Sequence, residues 1–240
     1  MNYLVTGGSS GLGEAIVKQL CLDPENTVYF TYRNSVEKAR ELEAQHNNAK
    51  AIACDFSSSA SVLSLVEFIG TTPLDVLINN AFAGEPLGSY SYKNPIDVYA
   101  KDFENNVLPT LQITKAALGV FKKQKSGKVI TILTSFIHGK PPTGSSSYVA
   151  TKSYLRSMAK SWASECIKFN VSSNTISPSF MQTQFTADVD SRIIESMEKE
   201  HPLKEILPLS EVVKAVNYLC EASSHVNGID LLINAGASLS

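Results

Sequence analysis

Residues 2–20 read NYLVTGGSSGLGEAIVKQL: an apolar run, a turn rich in glycine, then apolar residues at helical spacing. The run 2–6 is predicted to be a strand and the segment from Leu12 a helix, joined by Thr6-Gly7-Gly8-Ser9-Ser10-Gly11-Leu12-Gly13. Glycines let a backbone turn sharply and come close to a bound group. The helix that starts there presents unpaired N–H groups and the positive end of its dipole, a setting made for a pyrophosphate.

The same alternation continues along the chain. Apolar runs at 27–32, 50–54, 74–79, 128–134, 171–177 and 229–233 follow the run 2–6 and read as strands. Amphipathic patterns at 12–22, 35–46, 59–69, 95–123, 148–169, about 190–200 and 210–222 read as helices. Strands with no polar alternation are covered on both faces, so a Rossmann-type doubly wound, seven-stranded parallel α/β sheet is expected, as one domain spanning 1–240. The least regular stretches, 80–94, 136–147 and 178–190, all follow strands. In an open α/β sheet the carboxyl ends of the strands form the ligand crevice, and function is expected there.

Composition excludes several classes. The chain is 43% hydrophobic and 18% charged with a net charge of -2, an ordinary globular balance that does not suit neutralising nucleic-acid phosphates. No apolar run approaches the length of a membrane span. Met1 leads directly into a strand, with no room for an export segment, so a cytoplasmic protein is expected. Cys21, Cys54, Cys166 and Cys220 show no paired spacing and read as reduced packing residues; the four histidines show no ligand spacing, and no metal is expected.

After the second strand an acidic residue would hydrogen-bond the ribose of NAD(H) and repel the extra phosphate of NADP(H). Here Tyr29-Phe30-Thr31-Tyr32-Arg33-Asn34-Ser35 has no carboxylate, and Arg33 offers a fork of donors, so NADP(H) is favoured over NAD(H). Arg33 also reads as a solvated residue at a helix start. Asp55 is placed to meet an adenine or to cap the following helix. Tyr148 and Lys152, four apart, share a helical face, where the ammonium is expected to stabilise a phenolate and lower its pKa. Alone, YxxxK is more often structural. Ser135, ending the strand KVITILT, is placed to hold a substrate oxygen, and Asn106 inside a helical pattern is placed to anchor a water serving Lys152.

With these residues in view the chain resembles the short-chain dehydrogenase/reductase family over essentially its whole length, with likeness to its 3-oxoacyl-carrier reductases. The family's TGxxxGxG turn matches Thr6, Gly7, Gly11 and Gly13, and its Asn-Ser-Tyr-Lys set matches Asn106, Ser135, Tyr148 and Lys152. The resemblance implies an NADP(H)-dependent oxidoreductase moving a hydride between nicotinamide and a small-molecule carbonyl or alcohol: a ketone, 3-oxoacyl thioester or keto-sugar. Tyr148 would exchange the proton, Ser135 hold the substrate oxygen, Lys152 bind the nicotinamide ribose and Asn106 support a relay water. It implies cofactor contacts from Gly7, Ser9, Ser10, Gly11, Leu12, Gly13, Arg33, Asn34, Asp55, Phe56, Asn80, Ala81, Tyr148, Lys152, Pro178 and Thr183, and substrate contacts from Phe82, Ser135, His138, Tyr148 and Phe180.

The chain departs from the family pattern at two places. Phe82 stands where NNAG has glycine, and Ser179 stands where Pro-Gly has glycine. Residues 179–203, with Phe180, Met181, Phe185, Ile193, Ile194 and Met197, are expected to form a lid that lines the site or simply packs itself down. His138 either faces substrate or is plain loop. Lys122, Lys123, Lys125 and Lys128 either receive an acyl carrier protein or end a helix in solvent. Helices 95–123 and 148–169, with Trp162, would pair between subunits in a dimer or tetramer, unless that tryptophan belongs to the core. Two other functions compete: a non-catalytic NADP-binding redox sensor, and an epimerase or dehydratase like the extended relatives, which carry a longer region after the strand ending near Pro178.

Overall fold

The computed structural model describes residues 1–238; positions 239 and 240 of the single expected domain lie outside the described residues. Seven strands, β1 (Asn2–Val5), β2 (Thr27–Tyr32), β3 (Ala49–Ala53), β4 (Val76–Asn79), β5 (Gly127–Ile132), β6 (Val171–Pro178) and β7 (Asp230–Ile233), form one sheet in the order β3-β2-β1-β4-β5-β6-β7. Every pairing is parallel. The order reverses between β1 and β4, and this is where an open sheet parts its loops into a crevice.

Among the described residues eight α-helices cover both faces: α1 (Gly11–Leu20), α2 (Val36–Gln45), α3 (Ser59–Thr71), α4 (Ile96–Asp102), α5 (Leu108–Gln124), α6 (Ser146–Cys166), α7 (Ser191–Glu200) and α8 (Leu209–Glu221). Alternate strand residues feed opposite cores: Tyr3, Val5, Val76, Ile78 and Ile130 pack with α1 and α8, while Leu4, Leu77 and Val129 pack with α3, α5 and α6. Each such fully buried aliphatic side chain contributes about 1.5–3 kcal/mol of transfer free energy. Trp162 is 7% exposed within the second core, so the packing alternative for it is the one realised.

The expected helix 95–123 is not continuous. Between α4 and α5 the residues Phe103–Val107 widen into a π-helical turn. Pro109 lies in the first turn of α5 and has no N–H to give. Thr110 Oγ1 instead donates to the Asn106 carbonyl at 2.7 Å, and Asn106 Nδ2 donates to the Asp102 carbonyl at 3.1 Å. Side chains thus take over carbonyls that an unbroken ladder would use, and such π-turns gather at functional sites. Helix α6 starts at Ser146, earlier than the spacing indicated, where Ser147 Oγ donates to Asp102 Oδ2 at 2.5 Å and ties the two helix ends together.

Candidate active site

The turn after β1 is stitched to the end of β4. Thr6 Oγ1 accepts from the N–H groups of Asn80 and Ala81 at 2.9 and 3.0 Å, and Asn80 Nδ2 donates to the Thr6 and Gly7 carbonyls at 2.9 and 3.2 Å. Gly7 takes φ +67°, and a Cβ at Gly13 would lie 2.1 Å from the Gly7 carbonyl oxygen. Ser10 is extended and makes no side-chain cap, which leaves the first N–H groups of α1 without a side-chain acceptor. These groups open into a cavity of about 440 Å³ lined by Gly7, Ser9, Ser10, Gly11, Leu12, Gly13, Arg33, Asn34, Phe56, Asn80, Ala81, Phe82, Tyr148, Lys152 and Thr183. The donor-rich helix end and the two glycine contacts fit a dinucleotide pyrophosphate.

Thr31 also belongs to this turn, accepting from the Gly7 N–H at 2.8 Å through its hydroxyl. The signal for it was a threonine near the end of the run VYFTY, beside the glycine turn in a parallel sheet. Asp55 and Pro178, expected among the cofactor contacts, line no part of the cavity. The Asp55 carboxylate accepts from the Ser57 N–H and hydroxyl at 2.9 and 2.8 Å, and these bonds hold it below the usual carboxylate range. The cap of the following helix, the other role expected of Asp55, is taken by Ser58, whose side chain accepts from the Ser61 N–H. Pro178 closes β6 as a buried residue.

Tyr148 and Lys152 both line the same cavity. Burial pushes the phenol up to about 12, against a side-chain hydrogen bond with Thr134 that pulls the other way. The direction is opposite to the expected lowering: burial is the largest cause, and Thr134, not Lys152, is the group that opposes it. Lys152 is itself 4% exposed and pushed down to about 8 by burial; its Nζ donates to the Ile132 carbonyl at 2.8 Å.

The other expected partners are placed differently. The Asn106 side chain is taken up by the loop after β4. Its Oδ1 accepts from the Ala83 N–H at 2.6 Å and its Nδ2 donates to the Ala83 carbonyl at 2.8 Å, so the amide pins the loop after β4. Ser135 lines a neighbouring cavity of about 940 Å³ under α7, together with Phe180, while Thr134, the residue before it, is the hydroxyl beside Tyr148. His138 faces neither cavity; its Nε2 meets Asp230 Oδ2 at 2.8 Å and Ser177 Oγ at 3.3 Å, and Arg156 Nε stands 3.4 Å from the same carboxylate. Nothing in the sequence linked position 138 to Asp230. From the lid segment, Met181, Thr183 and Phe185 line the first cavity, and Ile193 and Met197 the second.

The lysine run lies away from all this. Lys122 and Lys125 stack on the Phe169 ring at 5.0 and 4.8 Å at the end of α5, and Lys128 Nζ donates to the Cys220 carbonyl at the start of β5. The cavity opens at the other end of that strand, about 20 Å distant at 3.3 Å per residue. These lysines line neither cavity.

Comparison with known proteins agrees with this architecture. Residues 2–193 match the family model described as short chain dehydrogenase. A sorbose reductase of Schizosaccharomyces pombe is 31% identical over 97% of this chain and 94% of its own. A tropinone reductase homolog of Arabidopsis thaliana is 28% identical over 100% of this chain and 91% of its own. A solved short chain dehydrogenase/reductase family protein superimposes with a TM-score of 0.87 at 25% identity, covering 100% of this chain and 98% of that one.

Proposed function

The chain belongs to the short-chain dehydrogenase family, an oxidoreductase family that acts on carbonyl and alcohol substrates with a nicotinamide dinucleotide, and from that premise we propose that it is an NADPH-dependent carbonyl reductase with Tyr148 as proton donor. One observation carries the reading: the phenol of Tyr148 and the ammonium of Lys152 stand in the same cavity as the glycine turn. A phenol held at about 12 stays protonated at neutral pH, which suits it to give a proton to a developing alkoxide. Lys152 stabilises the phenolate left behind, and Thr134 accepts or donates beside it. Gly7, Gly11, Gly13 and the start of α1 hold the pyrophosphate, and Lys152 the nicotinamide ribose. When bound, the nicotinamide supplies the hydride.

Arg33 is the residue that would select the extra phosphate of NADPH. It lines the cavity and forms no ion pair among the described residues. A charge-assisted bond to phosphate is worth roughly 1.5–3 kcal/mol. Arg33→Ala is expected to weaken NADPH binding about 10–100-fold and NADH binding less than about twofold, measured by cofactor fluorescence titration. An unchanged preference would overturn the assignment.

For the substrate, a hydroxylated ketone such as a keto-sugar is favoured. The second cavity presents Ser135, Ser179, His201 and Asn234 beside Phe180 and Met197, and the S. pombe relative is a sorbose reductase. The test is an initial-rate screen of NADPH and NADH oxidation against keto-sugars, 3-oxoacyl thioesters and aromatic ketones. NADPH oxidation led by a keto-sugar is expected; no oxidation across the panel would sink the reductase reading. Exposed Phe103, Leu108 and Tyr154, the first and last edge-on at 5.3 Å, give α5 and α6 an apolar outer face that supports self-association there.

A further inference from the structure

The chain's own departure at position 82 puts a ring on the wall of the cavity. Asn106 fixes the loop by clamping both polar groups of Ala83, and the adjacent Phe82 side chain enters the cavity. There its ring stands edge-on to Tyr148, centroids 5.0 Å apart at 82°, and edge-on to Phe185 of the lid at 5.6 Å and 72°. Lys152 Nζ lies 5.1 Å from the Phe82 centroid and 5.8 Å from that of Tyr148.

We propose that Phe82 is a positioning residue for the Tyr148–Lys152 pair: its ring covers the Lys152 ammonium, props the Tyr148 phenol, and joins both to the lid through Phe185. The inference rests on the proton-transfer role given to Tyr148 above. An ammonium within about 6 Å of a ring face is attracted to it, while the same ring keeps water from the other N–H groups. Those groups have little else to use. Ile132 supplies the one protein acceptor for Nζ among the described residues, the charged residues of the loop after β4, Glu85 and Lys93, do not line the cavity, and Phe185 is the lid's contribution. One turn further along α6, Arg156 is engaged with Asp230 rather than with Lys152. Burial lowers the affinity of Lys152 for its proton, toward about 8, and the Phe82 ring, 5.1 Å from Nζ, is part of what surrounds it.

The substitutions separate cover from charge attraction. Phe82→Gly admits water and should raise the Lys152 midpoint by about one unit or more, toward the free-lysine value near 10.4. Phe82→Leu keeps the cover but loses the π face and should leave the midpoint below that of the unsubstituted protein. Phe82→Tyr keeps both and should match it. The measurement is a 13C-lysine NMR titration of the full chain, with the resonance assigned by its loss in Lys152→Met. If Phe82→Gly and Phe82→Leu both titrate like the unsubstituted protein, the proposal is overturned. Should Phe82→Gly fail to fold, Leu and Tyr decide: a lower Leu midpoint with an unchanged Tyr midpoint supports it, and three equal midpoints refute it. In turnover, the alkaline limb of kcat should move with each midpoint. The titration needs no substrate, so a protein that reduces no carbonyl would remove the reductase reading while the midpoints still decide the role of Phe82.

Discussion

Tyr148→Phe is expected to lower kcat about 1000-fold while leaving NADPH affinity within about twofold and the fold intact. The substitution removes one oxygen and nothing else. The ring keeps its edge-on contact with Phe82 and its neighbour Phe185 at 6.1 Å. Thr134 loses the phenol as partner but still accepts from the Phe136 N–H at 3.3 Å, so no new unpaired group is buried. What disappears is the donor that meets charge on the substrate oxygen, a transition-state interaction worth about 4 kcal/mol for a loss of that size. Single-turnover rates with saturating cofactor, together with a fluorescence titration of NADPH, separate the two effects. A kcat within about fivefold of the unsubstituted protein would take Tyr148 out of the reaction. Thr134 or a bound water would then have to supply the proton.

The architecture was legible because its causes are local. A parallel strand buried on both faces must be apolar throughout, and VYF, VLIN and VITI say so regardless of their neighbours. The glycine turn was legible because part of its demand is local: Gly7 takes φ +67°, and a Cβ at Gly13 would meet the Gly7 carbonyl, while the contacts of both with Ala81 and Asn80 come from across the sheet. What the sequence did not show depends on which way a side chain turns. Asn106 was found by its awkward place in a helical pattern, but its partner, the Ala83 backbone, is brought to it by a π-turn that Pro109 and Thr110 induce. Ser135 and Thr134 alternate at a strand end, where a small change in the turn that follows decides which hydroxyl faces the phenol. The structure puts Thr134 there and Ser135 in the adjoining cavity. His138 and Asp230 lie on different segments, and no periodicity joins them. The expected drop in the Tyr148 pKa failed because spacing reports neighbours but not burial.

Gly13→Ala is expected to raise the Kd for NADPH at least 100-fold and to lower stability by about 1–3 kcal/mol. The added methyl would sit 2.1 Å from the Gly7 carbonyl oxygen and 2.7 Å from Asn80 Nδ2, and neither can retreat cheaply. The Gly7 carbonyl accepts from that same Asn80 amide, and the Gly7 N–H is held by Thr31 Oγ1 at 2.8 Å. The strain is therefore relieved by moving α1 outward by about 1 Å, which takes its free N–H groups off the pyrophosphate position. Alanine's better helix propensity, about 1 kcal/mol, offsets only part of this. Gly119, exposed on α5 with nothing within 4 Å of where a Cβ would stand, supplies the control. Gly119→Ala has the propensity gain without the clash, so it should stabilise the protein by about 0.5–1 kcal/mol and leave the Kd unchanged. Thermal unfolding and cofactor titration of both variants read the contrast. If Gly13→Ala binds NADPH like the unsubstituted protein, the turn after β1 is not where the pyrophosphate rests, and the placement of Tyr148 and Lys152 beside a cofactor falls with it.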